Sequence, residues 1–133
     1  NPYATGVQIV SGLDRGVFDA SIHRILLNTC ASCHQAGGST GSTPPPTFQN
    51  NRFVLTGGDE GDYNVTLSMV RDVCSPQTSY LLAKPSAIPH PTTLALPHPT
   101  TAVLPDPSND YNRIYNWIGA ACSTPVTPRP TTP

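Results

Sequence analysis

The chain has 133 residues, enough for one domain with a single modest core and too few for two. Its formal charge is −1 and only 11% of its residues are charged, which excludes a basic surface for nucleic acid or anionic lipid. The chain contains 16 prolines among its 133 residues, well above the ordinary share of about 5%. Such a composition limits regular structure and predicts a few short helices joined by long loops. No stretch approaches the roughly 20 apolar residues that span a bilayer, so no membrane span is expected.

The first predicted helix leads into a short cysteine motif. Asp19 or Ser21 is expected to cap this helix at its start. His23 is predicted to be a solvated side chain of the helix rather than a metal ligand. The apolar residues at helical spacing are Ile22, Ile25 and Leu26, followed by Cys33. This pattern carries the helix toward the segment Cys30-Ala31-Ser32-Cys33-His34.

The Cys30-Ala31-Ser32-Cys33-His34 segment has the spacing of covalent haem attachment. Two thiols three positions apart on a helical turn reach the two vinyl groups on one edge of a haem, and the adjacent histidine then lies under the iron. We therefore expect one covalent haem c, with thioethers at Cys30 and Cys33 and His34 as the proximal iron ligand. A thioredoxin-like redox pair would need a strand before Cys30, and a structural zinc site would need a second close pair of ligands.

The two remaining cysteines, Cys74 and Cys122, are predicted to form a disulfide. Thioether attachment of haem in bacteria occurs outside the cytoplasm, which predicts an exported chain, periplasmic or extracellular. A loop-rich chain in such a compartment commonly uses a disulfide. Closing a loop of this length stabilises a fold by roughly 4 kcal/mol in the chain-entropy model.

Loops and short helices alternate beyond the motif. Residues 35–48 read as a loop, and Phe53-Val54-Leu55 as either a short strand or an apolar plug against the porphyrin. A helix is expected over about 59–73, with an inward stripe, and Ser75-Pro76 opens a short helix that runs through 82. The residues of that stripe are Tyr63, Leu67 and Val70.

The last predicted helix follows a long loop and precedes a proline-rich tail. Ser108 is expected to cap the helix, and Trp117 to fill the core or pack at the haem edge. The buried stripe of the helix is Tyr111, Ile114, Tyr115 and Ile118. We expect a haem domain over 1–122 and a Thr/Pro-rich linker tail over 123–133, extended as a semi-rigid polyproline II spacer.

The sixth ligand of the iron has three candidates in the sequence. Met69 is the one methionine, and His90 and His98 occupy repeated Pro-His-Pro-Thr-Thr segments in the loop Lys84–Pro107. A thioether would give a higher reduction potential than a second imidazole. The residues alone favour methionine and histidine about equally, and a core-filling role competes for Met69.

A resemblance to a known family bears on this choice. The segment Cys74–Pro85, then His90, then the helix Tyr111–Ala120 resembles a bacterial cytochrome c domain family. In that family a S-x-L-L-x-K-P…H segment precedes a closing Y-x-x-I-x-x-W-I-x-x-G-A helix. The resemblance covers most of residues 17–122, and the C-x-x-C-H motif is its most specific part. It implies an all-α, small cytochrome c-like fold, with three to five short helices around one covalent haem and long Pro-rich loops.

The resemblance also implies a ranking of ligands and a role. His90 comes first as distal ligand, Met69 second and His98 third. The Thr/Pro tail resembles those of extracellular cytochromes of metal-reducing bacteria, in which several monohaem domains are strung on Thr/Pro-rich linkers. The implied role is electron transfer without catalysis. The implied partners are other haem domains or redox proteins, Fe(III) and Mn(IV) oxides, and soluble acceptors. The alternative is a haem enzyme or sensor with an open sixth site, such as a peroxidase.

Overall fold

The computed structural model describes residues 12–31, 34, 53–83, 85–86 and 103–132. Within these ranges the regular structure is helical, which agrees with the all-α prediction at the level of fold class. The elements in chain order are α1 (Arg15–Val17), a π-helical segment (Phe18–Ile22), α2 (His23–Thr29), α3 (Asp59–Leu67), a 3-10 turn (Pro76–Thr78), α4 (Tyr80–Ala83) and α5 (Asn109–Gly119). No helix of the described part has the length and apolar character needed to cross a membrane.

The first helical stretch begins earlier than the sequence predicted. Asp14 is the N-cap, because its backbone is extended and its carboxylate accepts a hydrogen bond from the Val17 N–H at 3.0 Å. The two expected caps lie inside the helical stretch. Asp19 accepts from Arg15 at 3.1 Å, and the Ser21 hydroxyl donates to a backbone carbonyl at 3.3 Å. The prediction of Asp19 or Ser21 as cap was therefore wrong, because these residues lie well inside the helical stretch, beyond the first turn after Asp14.

The core lies between the first helical stretch and α5. α5 packs against the π-helical segment, the 3-10 turn and α4. Trp117 is buried in this core, where its indole N–H donates to the Asp14 carbonyl at 2.9 Å. The fully buried apolar side chains are Phe18, Ile22, Leu26, Leu55, Val70, Leu82, Ile114 and Ile118. The predicted burial of Ile22, Ile25 and Leu26 is confirmed.

Helix α3 is shorter and more polar on its inner face than the sequence predicted. It ends at Leu67, after which the Met69 N–H donates to the Thr66 carbonyl three residues back, at 2.9 Å. Asp62 and Thr66 are its buried residues, whereas Tyr63 and Leu67 are half-buried. The predicted apolar stripe is confirmed in part, because Val70 is buried and Tyr63 and Leu67 pack half-buried against the core.

The C-terminal third is anchored at both ends of α5. Ser108 caps the helix as predicted, accepting from the Tyr111 N–H at 3.2 Å. Just after the helix, Cys122 forms a disulfide with Cys74, with Cα atoms 4.9 Å apart, which agrees with the predicted pairing. Residues 126–132 then run back along α5. The predicted stripe is buried at Tyr111, Ile114 and Ile118, and half-buried at Tyr115.

Candidate functional site

The cysteine motif begins where α2 ends. The N–H groups of Cys30 and Ala31 both donate to the Leu26 carbonyl, at 2.8 and 3.2 Å. The His34 N–H then donates to the Cys30 carbonyl at 2.8 Å, which places His34 one turn beyond Cys30. Cys30 is half-buried against the core cluster, and Cys33 lies outside the described residues. The end of α2 therefore holds the backbone of His34 close to Cys30.

The imidazole of His34 is held by the segment 53–55. Its Nδ1 lies 2.9 Å from the Phe53 carbonyl oxygen. A carbonyl oxygen only accepts, so Nδ1 carries the proton, and in the neutral ring the lone pair then lies on Nε2. The Phe53 ring packs against the imidazole with centroids 5.2 Å apart and an angle of 57°. Phe53 thus fixes both the tautomer and the orientation of His34.

The same segment also holds the backbone of His34. The Leu55 N–H donates to the His34 carbonyl at 2.7 Å, and the Leu55 side chain is buried. Residues 53–55 do not form a regular strand, because Leu55 alone in the segment forms a bridge, and an apolar plug against the porphyrin stays a prediction. The Phe53 carbonyl was missed by sequence reasoning, since a backbone acceptor leaves no signal in the residue type.

The three candidate distal ligands are unequally placed. Met69 is 9% exposed and belongs to the hydrophobic core cluster, where its carbonyl accepts from the Leu81 N–H at 3.2 Å. His90 and His98 lie outside the described residues. The loop that contains them is closed at its base, because the Leu104 N–H donates to the Pro85 carbonyl at 3.1 Å. The structure therefore describes the two ends of the segment that contains both histidines, at Pro85 and Leu104, and these ends lie close together.

His23 is buried between two carboxylates, so the prediction of a solvated histidine was wrong. The side chain is 5% exposed and stacks on Phe18 with ring centroids 5.1 Å apart. Its Nε2 lies 2.8 Å from Asp62 Oδ2, and its Nδ1 lies 3.1 Å from Asp59 Oδ1. The pairing joins α2 to α3 across 39 residues of sequence, a separation that local spacing does not reveal.

Asp62 connects this cluster to the segment that holds His34. Burial opposes ionisation of the carboxylate, but hydrogen bonds from Thr56, His23 and Gly57 outweigh it, so the pKa of Asp62 is lowered. The Thr56 and Gly57 N–H groups donate at 2.7 and 2.9 Å, and the Thr56 hydroxyl donates at 3.0 Å. Thr56 directly follows Leu55, whose N–H binds the His34 carbonyl. Helix α2 therefore contacts the His34 region in two ways. The first is its own C-terminal end, and the second is the hydrogen-bonded path from His23 through Asp62 to the turn at 56–57.

Comparison with known proteins assigns no family to this arrangement. No protein-family model, curated protein or solved structure matches the chain. Within the described ranges, which omit Cys33, His90 and His98, no group of three or more His, Cys, Asp or Glu side chains is placed to hold a metal ion. Function is therefore inferred from the Cys30–His34 motif and from the contacts around His34.

Proposed function

We propose that this chain is a monohaem c-type cytochrome domain that transfers electrons. In this proposal Cys30 and Cys33 bind the haem through thioethers, and His34 Nε2 is the proximal ligand. The bound haem supplies a one-electron iron couple. The contribution of the chain is to attach the haem, fix its ligands and limit access of water. An all-α cytochrome c-like fold is part of the same proposal.

The observation that carries the proposal is the contact between His34 Nδ1 and the Phe53 carbonyl at 2.9 Å. Histidines that bind metals almost always donate their other ring N–H to a carbonyl, carboxylate or water, which fixes the tautomer and raises the basicity of the ligand nitrogen. His34 has this arrangement, and it directly follows the C-x-x-C spacing. The tautomer and the motif support the same role, although one comes from backbone geometry and the other from sequence.

The proposed distal ligand is His90, with Met69 and His98 as alternatives. The loop containing His90 is closed by the Pro85–Leu104 hydrogen bond, and its prolines reduce the freedom that the unfolded loop loses on ordering. Met69 lies in the hydrophobic core cluster, an environment that also suits a packing role. His90 is therefore ranked first, and the ranking still depends on the family resemblance.

The proposed acceptors are extracellular: Fe(III) and Mn(IV) oxides, soluble acceptors, and neighbouring haem domains or redox proteins. This part of the proposal depends on the resemblance to cytochromes with Thr/Pro-rich linkers. The Cys74–Cys122 disulfide supports it, because disulfides persist in oxidising compartments outside the cytoplasm.

Visible spectra of the oxidised and reduced protein test the proposal against its alternative. A six-coordinate electron carrier should give low-spin haem in both states, and His90→Ala should convert the ferric form to high-spin or water-ligated haem. His98→Ala is the matched control, because it removes the histidine of the repeated segment, and it should leave the spectrum unchanged. A high-spin wild-type spectrum would favour the enzyme or sensor, and conversion by Met69→Ala instead of His90→Ala would assign methionine.

A further inference from the structure

A row of asparagines on α5 binds the backbone of the C-terminal tail. The Asn116 side chain accepts from the Arg129 N–H at 2.7 Å and donates to the Arg129 carbonyl at 2.9 Å. Asn112 donates to the Pro130 carbonyl at 3.0 Å. Asn109 accepts from the Thr132 N–H at 2.6 Å and donates to its carbonyl at 3.3 Å. These asparagines lie three and four positions apart, so one face of the helix presents them all to the tail.

This pattern suits an extended proline-rich strand. A polyproline II strand makes no internal backbone hydrogen bonds, and its prolines have no N–H to donate. Its carbonyls and the N–H groups of its other residues are therefore available to a partner. The asparagine side chains, each with donors and an acceptor, pair with these groups at Arg129, Pro130 and Thr132.

Arg129 supplies contacts that a generic proline-rich strand would lack. Its guanidinium lies over the Tyr115 ring, 4.1 Å from the centroid, and 5.2 Å from that of Tyr111. The same group pairs with Asp106 at 2.6 Å. Burial and the neighbouring Asp106 raise the pKa of Tyr111 to about 12, so the phenol stays neutral beside the guanidinium. A planar cation that stacks and pairs at once is a property of arginine rather than lysine.

The start of the bound strand is fitted closely to the end of α5. The Val126 N–H donates to the Gly119 carbonyl at 3.1 Å. A Cβ atom at Gly119 would lie only 2.9 Å from the Val126 Cβ, closer than side-chain carbons normally approach. The absence of a side chain at Gly119 therefore lets the strand lie directly on the helix.

We infer that the outer face of α5 is a recognition site for an arginine-containing proline-rich strand, and that residues 126–132 of this chain are its occupant. Backbone contacts from Asn109, Asn112 and Asn116 hold the strand, and the pocket of Tyr115, Tyr111 and Asp106 selects arginine. The tail that composition predicted to be a spacer is thus a bound ligand as far as Thr132.

The first test measures order in the tail of the full chain. In ¹⁵N heteronuclear NOE spectra, the amides of Thr127, Arg129 and Thr132 should be as rigid as those of α5. Arg129→Ala should lower the tail values measurably below those of the wild type, because the guanidinium contacts are lost while the backbone hydrogen bonds remain, and Arg129→Lys should retain more of the order. A tail that is mobile in the wild type, or equally rigid in Arg129→Ala, would overturn the inference.

The second test measures recognition between separate molecules. A synthetic peptide of residues 123–133 is titrated into the full-chain Arg129→Ala variant while the amide shifts of Asn112 and Asn116 are followed. The peptide should bind saturably, and an otherwise identical peptide with alanine at 129 should bind about fivefold more weakly. The wild-type chain should need more peptide, because its own tail competes. Equal affinity of the two peptides, or no saturable shift, would overturn the inference; Asn116→Ala is a second host that keeps Arg129.

Discussion

Two polar contacts of the molecule differ in exposure. The contact between His23 of α2 and Asp62 of α3, on what we call the α3 side, is buried, whereas the ion pair of Arg129 and Asp106 beside α5, on the α5 side, faces solvent. Asp62 is 0% exposed where it meets His23, whereas the side chains of Arg129 and Asp106 are 31% and 39% exposed. Removing one partner of a buried pair leaves an unpaired charge in the core, but an exposed pair loses little because water replaces the partner. Support for the Cys30–His34 motif should therefore be concentrated in a few groups, and attachment of the tail distributed over many.

The largest expected effect is on the α5 side, from its covalent link. Replacing both Cys74 and Cys122 by serine should lower the free energy of unfolding by about 4 kcal/mol, because the unfolded chain regains the freedom of a closed loop. Urea denaturation of the wild type and the double variant measures this. Alkylation of the denatured, unreduced wild type at these two cysteines would contradict the disulfide itself.

The next largest effect should come from the buried pair on the α3 side. Asp62→Ala should lower the free energy of unfolding by about 3 kcal/mol, because it strands His23 and the Thr56 and Gly57 N–H groups. Asp59→Ala is the matched control, since Asp59 contacts the same histidine from an exposed position, and it should cost less than about 1 kcal/mol. If urea denaturation shows similar losses of free energy of unfolding for the two variants, the stabilisation does not come mainly from Asp62.

The pH dependence should separate the two sides further. The pKa of Asp62 is lowered from its ordinary value of 3.8. The ionised carboxylate of Asp62 therefore stabilises the fold fully at pH values above 3.8. This stabilisation is lost as the pH falls through the lower pKa of the folded state. The difference in free energy of unfolding between the wild type and Asp62→Asn should shrink as pH falls below 3.8. Denaturation curves at neutral and acid pH measure this, and a difference that stays constant would argue against the ionised carboxylate.

The smallest effect should come from the exposed pair. Arg129→Ala should lower the free energy of unfolding by about 1 kcal/mol or less, because stacking and an exposed ion pair each contribute modestly. A double-mutant cycle with Asp106→Ala isolates the ion pair and should give a coupling below about 1 kcal/mol. A loss as large as that of Asp62→Ala would mean that the tail is part of the core.

Local features were predictable from sequence, and contacts between distant segments were not. Ser108 and the apolar stripe of α5 are readable because cap and helix spacing depend on neighbouring residues. Asp14 was missed because Asp19 and Ser21 are equally suitable residue types. The partnership of His23 with Asp62 exists only after folding has brought α2 and α3 together.

The tail and the candidate site show the same division. Composition correctly indicated that the Thr/Pro segment offers little apolar surface, yet the segment is bound through its backbone, which composition does not report. At the candidate site, haem attachment stays a prediction from the spacing of Cys30, Cys33 and His34. The carbonyl of Phe53, which fixes the tautomer of His34, required the structure.

Covalent haem attachment is the central claim, and intact mass after acid–acetone extraction tests it most directly. The full chain, produced in cells that mature c-type cytochromes, should keep the mass of one haem after extraction. The Cys30→Ala variant should retain haem poorly, because only the single thioether at Cys33 can then form. A wild-type chain that loses its colour and returns to the mass of the bare polypeptide would contradict the account.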